Sequence, residues 1–576
     1  MSAQSSIYNP TKTTSAATGD GFSVPRNTTA GRLATVFTTA DDGMMVFDTD
    51  LNNLFIWNGT AWESIPGSGD STNHQVIFND NGVLVGDPGL LFDNTLQRLT
   101  VAGTIRIHRG FLNDSTSVAV GNLTLTETTA GAIRNTFVGN NAGQFVSSGN
   151  RNVGVGFSAL QGVNTVELTG SNNTAVGNSA LAAANLGANN NTAIGSTAGG
   201  TVTTGGHNAA VGSNALNGAG TTSNNNIAVG NQAMSSASTI TGNDNIGIGR
   251  DTLRALSSGA NNVAIGPLAG RGSTIGSDNI SIGNQAVGNT ATTSDGSDNI
   301  AIGRSAMFGN NNSTGSNNIA IGDNSMVSLT AGVQNIAVGR LSCSNLLDGN
   351  YNTAIGISSL EGNISGGLNV AVGYQALNAS TVSDLVAVGA SALSANTIGL
   401  NNTAVGRSAL AGIITTTNNT ALGYQAANAT TGGSNTAIGS NALGLSTSGD
   451  SNTAVGALAM GSVASTGSNN TCIGQSAGAN ITSGSFNVFI GPSAGATTNN
   501  GNSNICIGLA AYTGGVALNN ILSIGSATYF VATNGGATTY YPAPSAGGVV
   551  LPATCSGFIQ VNLNGTYVKI PVYPNA

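Results

Sequence analysis

Asn-Thr-Ala-Val-Gly-Asn-Ser-Ala-Leu, residues 173–181, is the stretch around which the whole sequence is organised. Related copies, aligned on the glycine that follows Val or Ile, place that glycine at positions 139, 156, 177, 195, 212, 230, 249, 266, 283, 303, 322, 339, 356, 373, 389, 406, 423, 439, 456, 474, 491, 508 and 525. These 23 copies are separated by 22 steps, and (525 − 139)/22 gives a mean period of 17.5 residues. Self-similarity at a short, fixed period is typical of a stacked solenoid.

The columns of the repeat carry small or aliphatic residues. Asn stands four residues before the glycine in 21 of 23 copies, Val or Ile stands one before it in all but one, and Ala stands three after it in 18. In a strand of this sequence Asn, Ala and Gly face one side while Thr and Val or Ile face the other. We therefore predict an all-β fold, a parallel β-roll or β-solenoid of about 23 coils with a thin interior, in which Ser-Ala-Leu forms the opposing wall.

The asparagine column has two structural interpretations. Stacked in register, the side-chain amides can bond to those of neighbouring coils in a ladder. Alternatively, each Asn is the turn former that precedes its strand. The predicted structural ladder is represented by Asn173, Asn191, Asn335, Asn352, Asn402 and Asn419.

Shifts in composition divide the chain into six segments. The hairpin signals Asn58-Gly59 and Asn564-Gly565 lie between strand-like runs outside the repeats, whereas Ser117 to Gly121 has the character of a degenerate, capping repeat. We predict an N-terminal arm at 1–20, a β module at 21–66, a linker at 67–73, a β-rich connector with the capping repeat at 74–129, the repeat shaft at 130–528 and a C-terminal β tip at 529–576.

The charge pattern argues against several function classes. Only 7% of residues are charged, the net charge is −8, and Arg250, Arg304, Arg340 and Arg407 are scattered along one column, so no nucleic-acid partner is expected. Asp244, Asp278 and Asp298 share the column five before the glycine, but only the last two lie on adjacent coils. Cation sites need more oxygen ligands than this, so these carboxylates are interpreted as solvated loop charges.

No catalytic constellation, cofactor site or metal site is predicted. Acidic residues in the repeats are few and mostly single, and the three histidines lie far apart. The cysteines in the repeats, Cys343, Cys472 and Cys506, replace small or aliphatic residues and are expected to be free, buried thiols. The first ten residues have neither a basic start nor an apolar run, so no secretory signal is expected. No stretch reaches the ~20 apolar residues of a membrane helix, so no membrane insertion is expected.

The face of each strand that carries Val and Ile predicts that the chain associates with copies of itself. A thin roll encloses the Ala and Gly face and leaves the Val and Ile face as an aliphatic strip about 100 Å long at the spacing of stacked strands. Exposed apolar strips of that size are typical of interfaces, which favours a homo-oligomer.

The repeat resembles the head of trimeric autotransporter adhesins, whose chains form left-handed parallel β-rolls and associate as trimers. The resemblance covers roughly residues 117–528 and implies a homotrimer. Residues 22–66, with Asp-Gly-Met-Met-Val-Phe-Asp at 42–48, look like N-terminal modules of bacteriophage tail fibres, and residues 557–571 look similar to fibre C-termini. Together these resemblances imply a non-enzymatic tail fibre in the virion, attached to a tail or baseplate protein by its N-terminal region.

The same resemblance implies that the far end meets a glycan or protein on the host surface. Tyr540 and Tyr541 are the candidate receptor-binding residues, because tyrosine offers a rigid apolar face with a polar tip. Sealing the open end of a trimer is the alternative role for both. A phage-derived injection system or a non-viral bacterial adhesin or matrix fibre would share most of these features. An ice-binding solenoid would need a uniform Thr array, which the mixed column three before the glycine does not provide.

Overall fold

The computed structural model describes residues 26–34, 45–51, 53–58, 60–64, 73–80, 83–93, 98–101, 105–109, 117–124, 132–162, 169–183, 187–218, 220–288, 295–309, 314–511, 517, 519–525, 532–534, 537–539, 557–563 and 566–572. The fold is an all-β parallel β-solenoid of about 22 turns, as predicted. The chain divides into two compact units, Met1–Ser383 and Asp384–Ala576.

The first unit begins with a short helix and antiparallel strands before the coils start. Its elements are β1 Arg26–Asn27, α1 Thr29–Ala34, β2 Met45–Asp48, β3 Asn53–Trp57, β4 Trp62–Ser64, β5 Asn73–Asp80, β6 Val83–Asp93, β7 Arg98–Val101, β8 Ile105–Arg109, β9 Val118–Val120, β10 Thr136–Val138, β11 Val153–Val155, β12 Thr174–Val176, β13 Thr192–Ile194, β14 Ala209–Val211, β15 Ile227–Val229, β16 Ile246–Ile248, β17 Val263–Ile265, β18 Ile280–Ile282, β19 Ile300–Ile302, β20 Ile319–Ile321, β21 Ile336–Val338, β22 Thr353–Ile355 and β23 Val370–Val372.

The second unit continues the coils and ends in two hairpins. Its strands are β24 Val386–Val388, β25 Thr403–Val405, β26 Thr420–Leu422, β27 Thr436–Ile438, β28 Thr453–Val455, β29 Thr471–Ile473, β30 Val488–Ile490, β31 Ile505–Ile507, β32 Leu522–Ile524, β33 Ala532–Asn534, β34 Ala537–Thr539, β35 Gly557–Leu563 and β36 Thr566–Val572. The pair β35 and β36 is the C-terminal hairpin expected from sequence.

Within each unit the coil strands pair in parallel with the next coil and without register shift. Ala175 lies opposite Ala193, and Ala404 lies opposite Ala421. The first of these strands, β9, pairs in the same register with β10, so the degenerate repeat at residues 117–121 contributes a strand to the stack. Each strand is three residues long because a turn follows at the repeat glycine.

The interior is narrow, as the small residues in the repeat predict. The middle residue of each coil strand is buried, with Ala175 and Ala193 wholly inaccessible. The opposing wall is built from the Ser-Ala-Leu segment, where Ala180 and Leu181 are buried. This wall is a turn in which Leu181 has φ of 48°. The Leu181 amide donates to the Ala198 carbonyl of the next coil at 3.0 Å, so bonds between coils support this uncommon backbone conformation.

The N-terminal strands match the sequence prediction, but the helix does not. Strands β2, β3 and β4 form an antiparallel sheet, and the Asn58 amide donates to the Ala61 carbonyl at 3.1 Å across the predicted turn. The sequence pattern predicts only strands in residues 21–66, whereas Thr29–Ala34 is helical. Thr28 caps this helix, because its Oγ1 accepts a hydrogen bond from the Gly31 amide. The strand-like sequence pattern around the segment gives no indication of this short-range contact.

Candidate functional site

The asparagine column forms a continuous buried ladder of hydrogen bonds in each unit. In the first unit, the backbone amide and Nδ2 of Asn191 both donate to Oδ1 of Asn173, at 2.9 and 3.1 Å, and Nδ2 also donates to the Gly205 carbonyl at 2.9 Å. Asn335 and Asn352 repeat this arrangement. Each side chain therefore fixes the register of its strand against both the preceding coil and the next loop.

The ladder in the second unit keeps the backbone contact but varies the side-chain contacts. The Asn419 amide donates to Oδ1 of Asn402 at 2.9 Å, and Nδ2 of Asn402 donates to the Thr416 carbonyl at 2.7 Å. Nδ2 of Asn419 instead reaches Oγ1 of Thr416 and the Thr417 carbonyl, at 3.4 and 3.3 Å. Both asparagines are inaccessible to solvent, so the column is structural in either unit.

The outward face of the coil strands is a candidate assembly surface. In the first unit, Val176 is 37% exposed and Ile194 is 43% exposed. The alanine that directly precedes each of them in its strand is buried. The column three before the glycine becomes entirely aliphatic over seven successive coils: Ile227, Ile246, Val263, Ile280, Ile300, Ile319 and Ile336. This part of the first unit therefore presents two parallel aliphatic columns to solvent.

The same face is more polar in the second unit. Its column three before the glycine is threonine over five successive coils: Thr403, Thr420, Thr436, Thr453 and Thr471. The column one before the glycine stays aliphatic, with Leu422 at 47% and Ile473 at 39% exposure. An aliphatic column thus runs along the coils of either unit, and an unbroken run of five threonines accompanies it in the second unit.

A buried ion pair organises the N-terminal module. Nε of Arg32 donates to Oδ2 of Asp48 at 2.9 Å, and the Arg32 guanidinium stacks 3.7 Å from the centre of the Phe55 ring. Oδ1 of Asp48 accepts the backbone amides of Asp50 and Leu51. Both side chains are buried, and their contact joins α1 to strand β2. The rings of Trp57 and Trp62 meet edge to face at 5.7 Å, as expected of a small aromatic core.

The thiol groups of the coils are not activated as nucleophiles. The three cysteines in the repeats are free and buried. Burial raises the pKa of the Cys343 thiol to about 12, partly opposed by a hydrogen bond with Ser342, and burial also raises the pKa of Cys472. Protonated, inaccessible thiols are poor nucleophiles. Within the described ranges, no group of three or more metal-ligating side chains is found.

The acidic loop residues are engaged by neighbouring amides. Oδ1 of Asp244 accepts Nδ2 of Asn225, and Oδ1 of Asp278 accepts Nδ2 of Asn261, both at 3.0 Å. These side chains bridge adjacent coils in the column that also contains Asp298. The hydrogen bonds of Asp244 and Asp278 stabilise the loops of adjacent coils.

Two surface features of the coils were missed by the sequence analysis. A groove of about 340 Å³ in the second unit is lined by Gln425, Asn428, Asn441, Leu445, Leu458 and Ser462, together with Gly444 and Gly461. Gly444 and Gly461 stand in the same column of two successive coils, and this pair was the sequence signal for the groove. The second feature is a pair of arginines, Arg254 and Arg271, that share the column five after the glycine on adjacent coils. The arginines in the column directly after the glycine are scattered, whereas this pair lies in a different column.

The predicted receptor-binding residues Tyr540 and Tyr541 lie outside the described residues. The antiparallel pair of β33 and β34, which ends at Thr539, precedes them. Across the part of the chain that the structure describes, no helix is both long and apolar enough to cross a membrane.

Comparison with known proteins identifies a family at the N-terminus. Residues 4–76 match the family model of the phage tail like trimerisation region, a range that contains the Arg32–Asp48 ion pair and the sheet of β2, β3 and β4. No curated protein and no solved structure matches the chain. The likeness of the coils to adhesin heads therefore remains a prediction, whereas a trimerisation region at the N-terminus together with a β-solenoid fits a phage tail fibre.

Proposed function

We propose that this protein is a homotrimeric structural fibre of a phage tail that is attached by its N-terminal region and adheres to the host cell. The observation that carries the proposal is the match of residues 4–76 to a phage tail like trimerisation region in a chain whose remaining described part is mainly β-solenoid. A solenoid supplies length from short repeats, and a trimerisation region at one end brings three such chains together.

The exposed sheet face supports self-association of the chain independently of the match. Ile302 and Ile321 are 36% and 37% exposed in a single chain, within the doubly aliphatic stretch of the first unit. Soluble proteins rarely leave contiguous aliphatic columns in water. Contacts between copies of the chain would cover this face. Light scattering of the purified chain should give three times 56.5 kDa, about 170 kDa, and a monodisperse monomer would refute the assembly.

Immunogold electron microscopy of particles tests the proposed location. Antibody against this chain should label the tails of particles with filled heads. Label on headless, tail-like particles would identify a phage-derived injection system instead. Label on the bacterial surface alone would favour a non-viral adhesin or matrix fibre.

Receptor contact is proposed for the C-terminal tip, residues 529–576, with Tyr540 and Tyr541 as contact residues. The outer loops of the coils vary in length, whereas the end of a fibre meets a cell first. Tyr540→Ala combined with Tyr541→Ala should reduce adsorption to host cells in a fibre that remains trimeric. The matched control is Tyr374→Ala with Tyr424→Ala, since these two tyrosines are 53% and 45% exposed on the coils. Equal adsorption by both double variants would contradict the assignment.

The fibre is proposed to have no enzymatic activity on polysaccharide, because acidic residues in the repeats are few and mostly isolated. Purified fibre incubated with host envelope glycans should leave their chain length unchanged. The appearance of shortened oligosaccharides would refute this part of the proposal.

A further inference from the structure

An arginine cluster on the first unit stands out in a chain of net charge −8. The cluster consists of Arg250, Arg254 and Arg271, three of only 15 basic residues, within 22 residues and two adjacent coils. Two of these guanidinium groups share one carboxylate. Nη1 of Arg250 lies 3.1 Å from Oδ2 of Asp251, and Nη1 of Arg254 lies 3.6 Å from Oδ1.

Asp251 anchors these two side chains from below the surface. Its side chain is 9% exposed, whereas the side chains of Arg250 and Arg254 are 59% and 41% exposed. Oδ1 of Asp251 makes no hydrogen bond beyond its ionic contact with Arg254. A guanidinium carries five N–H donors, so each arginine retains donors that a ligand in solution can reach. The buried Asp251 carboxylate thus positions Arg250 and Arg254 and leaves some of their N–H groups available to a ligand.

Arg271 adds a third positive charge on the next coil. The Ala255 amide donates to the Arg271 carbonyl at 3.1 Å, which joins the two coils directly beside Arg254. Arg254 and Arg271 occupy the same column, and stacked strands are spaced by about 4.8 Å. The coils on either side have Ser235 and Gly288 in this column, so neither contributes a carboxylate.

Other carboxylates near this part of the sequence have different partners. Asp244 accepts the Asn225 amide, Asp278 accepts the Asn261 amide, and Asp295 accepts Thr274 and the Ile275 amide. In the described part of the chain, Asp251 is the only carboxylate that forms an ion pair with the cluster. Three positive charges against one negative charge leave the cluster with a net charge of +2.

We propose that Arg250, Arg254 and Arg271 form a binding site for the oxyanion groups, phosphate or carboxylate, of an acidic host-surface polysaccharide. The planar fork of arginine matches both groups with paired hydrogen bonds. An oxyanion at the cluster would also offset the repulsion between Arg254 and Arg271. This inference rests on the proposed adhesive role, and it adds a ligand class and a second contact site, on the coils, to the one proposed for the tip.

Binding of defined oligosaccharides to the full-length fibre tests the site. Isothermal titration would compare a phosphorylated oligosaccharide, a uronic-acid oligosaccharide and a neutral glucan fragment of equal length. Either or both acidic probes should bind, with an affinity that falls as salt is raised, and the neutral probe should not. The acidic probe that binds more tightly identifies the preferred group. Equal binding of all three probes, or binding of neither acidic probe, would overturn the proposal.

Paired variants separate this site from general charge. Arg254→Gln with Arg271→Gln should weaken binding of the acidic probe about ten-fold or more, since hydrogen bonds to charged groups are worth about 1.5–3 kcal/mol each. Arg340→Gln with Arg407→Gln removes the same charge from isolated positions and should leave affinity within two-fold (~0.4 kcal/mol). Similar losses in both pairs would refute a built site. Because the assay uses purified fibre, its outcome is independent of whether the chain proves to be a tail component.

Discussion

Replacing Asn352 by Leu should destabilise its region of the first unit strongly, although the two side chains are similar in size. Asn352 is inaccessible to solvent. Its Nδ2 donates to Oδ1 of Asn335 at 3.0 Å and to the Gly366 carbonyl at 2.9 Å. Its Oδ1 accepts the backbone amide and Nδ2 of Asn369 at 3.1 and 3.0 Å. Leucine can replace none of these four bonds.

The expected magnitude follows from those bonds. At about 1 kcal/mol each, four lost bonds cost about 4 kcal/mol, and the Asn369 amide is left buried without its Oδ1 acceptor. A local loss of about 4 kcal/mol corresponds to roughly a thousand-fold rise in the population of the opened state. Repeat proteins open locally, so the effect should be concentrated in the neighbouring coils.

Hydrogen exchange with mass spectrometry is the appropriate assay, since a solenoid need not unfold in one step. Peptides that cover residues 335–372 should exchange far faster in Asn352→Leu than in the parent. The matched control is Asn345→Leu, because Asn345 is exposed and its side chain makes no hydrogen bond in the described structure. A change within about 0.5 kcal/mol is expected for the control. Equal protection in both variants would refute the ladder and favour a plain turn role for Asn352.

Four further predictions concern other parts of the molecule. Asn402→Leu with Asn419→Leu should lower the melting temperature of the second unit, because the hydrogen bond from the Asn419 amide to Asn402 Oδ1 is lost. Scanning calorimetry measures this change, and an unchanged melting temperature would contradict the prediction. Gly356→Ala should destabilise the coils by more than 1 kcal/mol in denaturant unfolding, because φ is 140° and the new Cβ would lie 2.4 Å from the Gly373 carbonyl oxygen. The milder control is Gly433→Ala, whose closest contact would be 3.2 Å, and equal effects would argue against the close approach. Ile302→Lys with Ile321→Lys should shift the protein from trimer towards monomer in light scattering while the circular dichroism spectrum is retained, and an intact trimer would exclude this face as the interface. The buried Cys343 thiol should make the folded protein less stable at alkaline pH. The pKa of this thiol is 9.0 in the unfolded chain and about 12 in the folded one. Between these values the unfolded state binds fewer protons, so the free energy of unfolding falls as the pH rises above 9. From pH 9 to pH 10.5 the parent should lose about 2 kcal/mol more than Cys343→Ala in urea titrations, and parallel losses would disprove the effect.

The sequence by itself determined the coil architecture, because each of its rules is local and repeated. Alternation along Thr174, Ala175 and Val176 decides which side chain turns inwards, and it holds in every coil since strand periodicity is two residues. The strictness of Asn352 and its counterparts indicated a structural role, but the sequence left open whether that role was a ladder or a turn, and the hydrogen bonds of the structure show the ladder. The aliphatic outward column likewise followed directly from the repeat.

Only the tertiary structure decided which residues from different coils meet. Arg254 and Arg271 share a column that the alignment on the repeat glycine already shows, whereas the hydrogen bond from the Ala255 amide to the Arg271 carbonyl, which joins the two coils beside them, is visible only in the structure. The positive φ of Leu181 depends on the bond to Ala198 in the next coil and has no sequence signal of its own. Helix α1 likewise depends on Arg32 reaching Asp48, 16 residues away. Local periodicity specifies a coil, whereas charge clusters, grooves and buried ion pairs arise from contacts between segments that are distant in sequence.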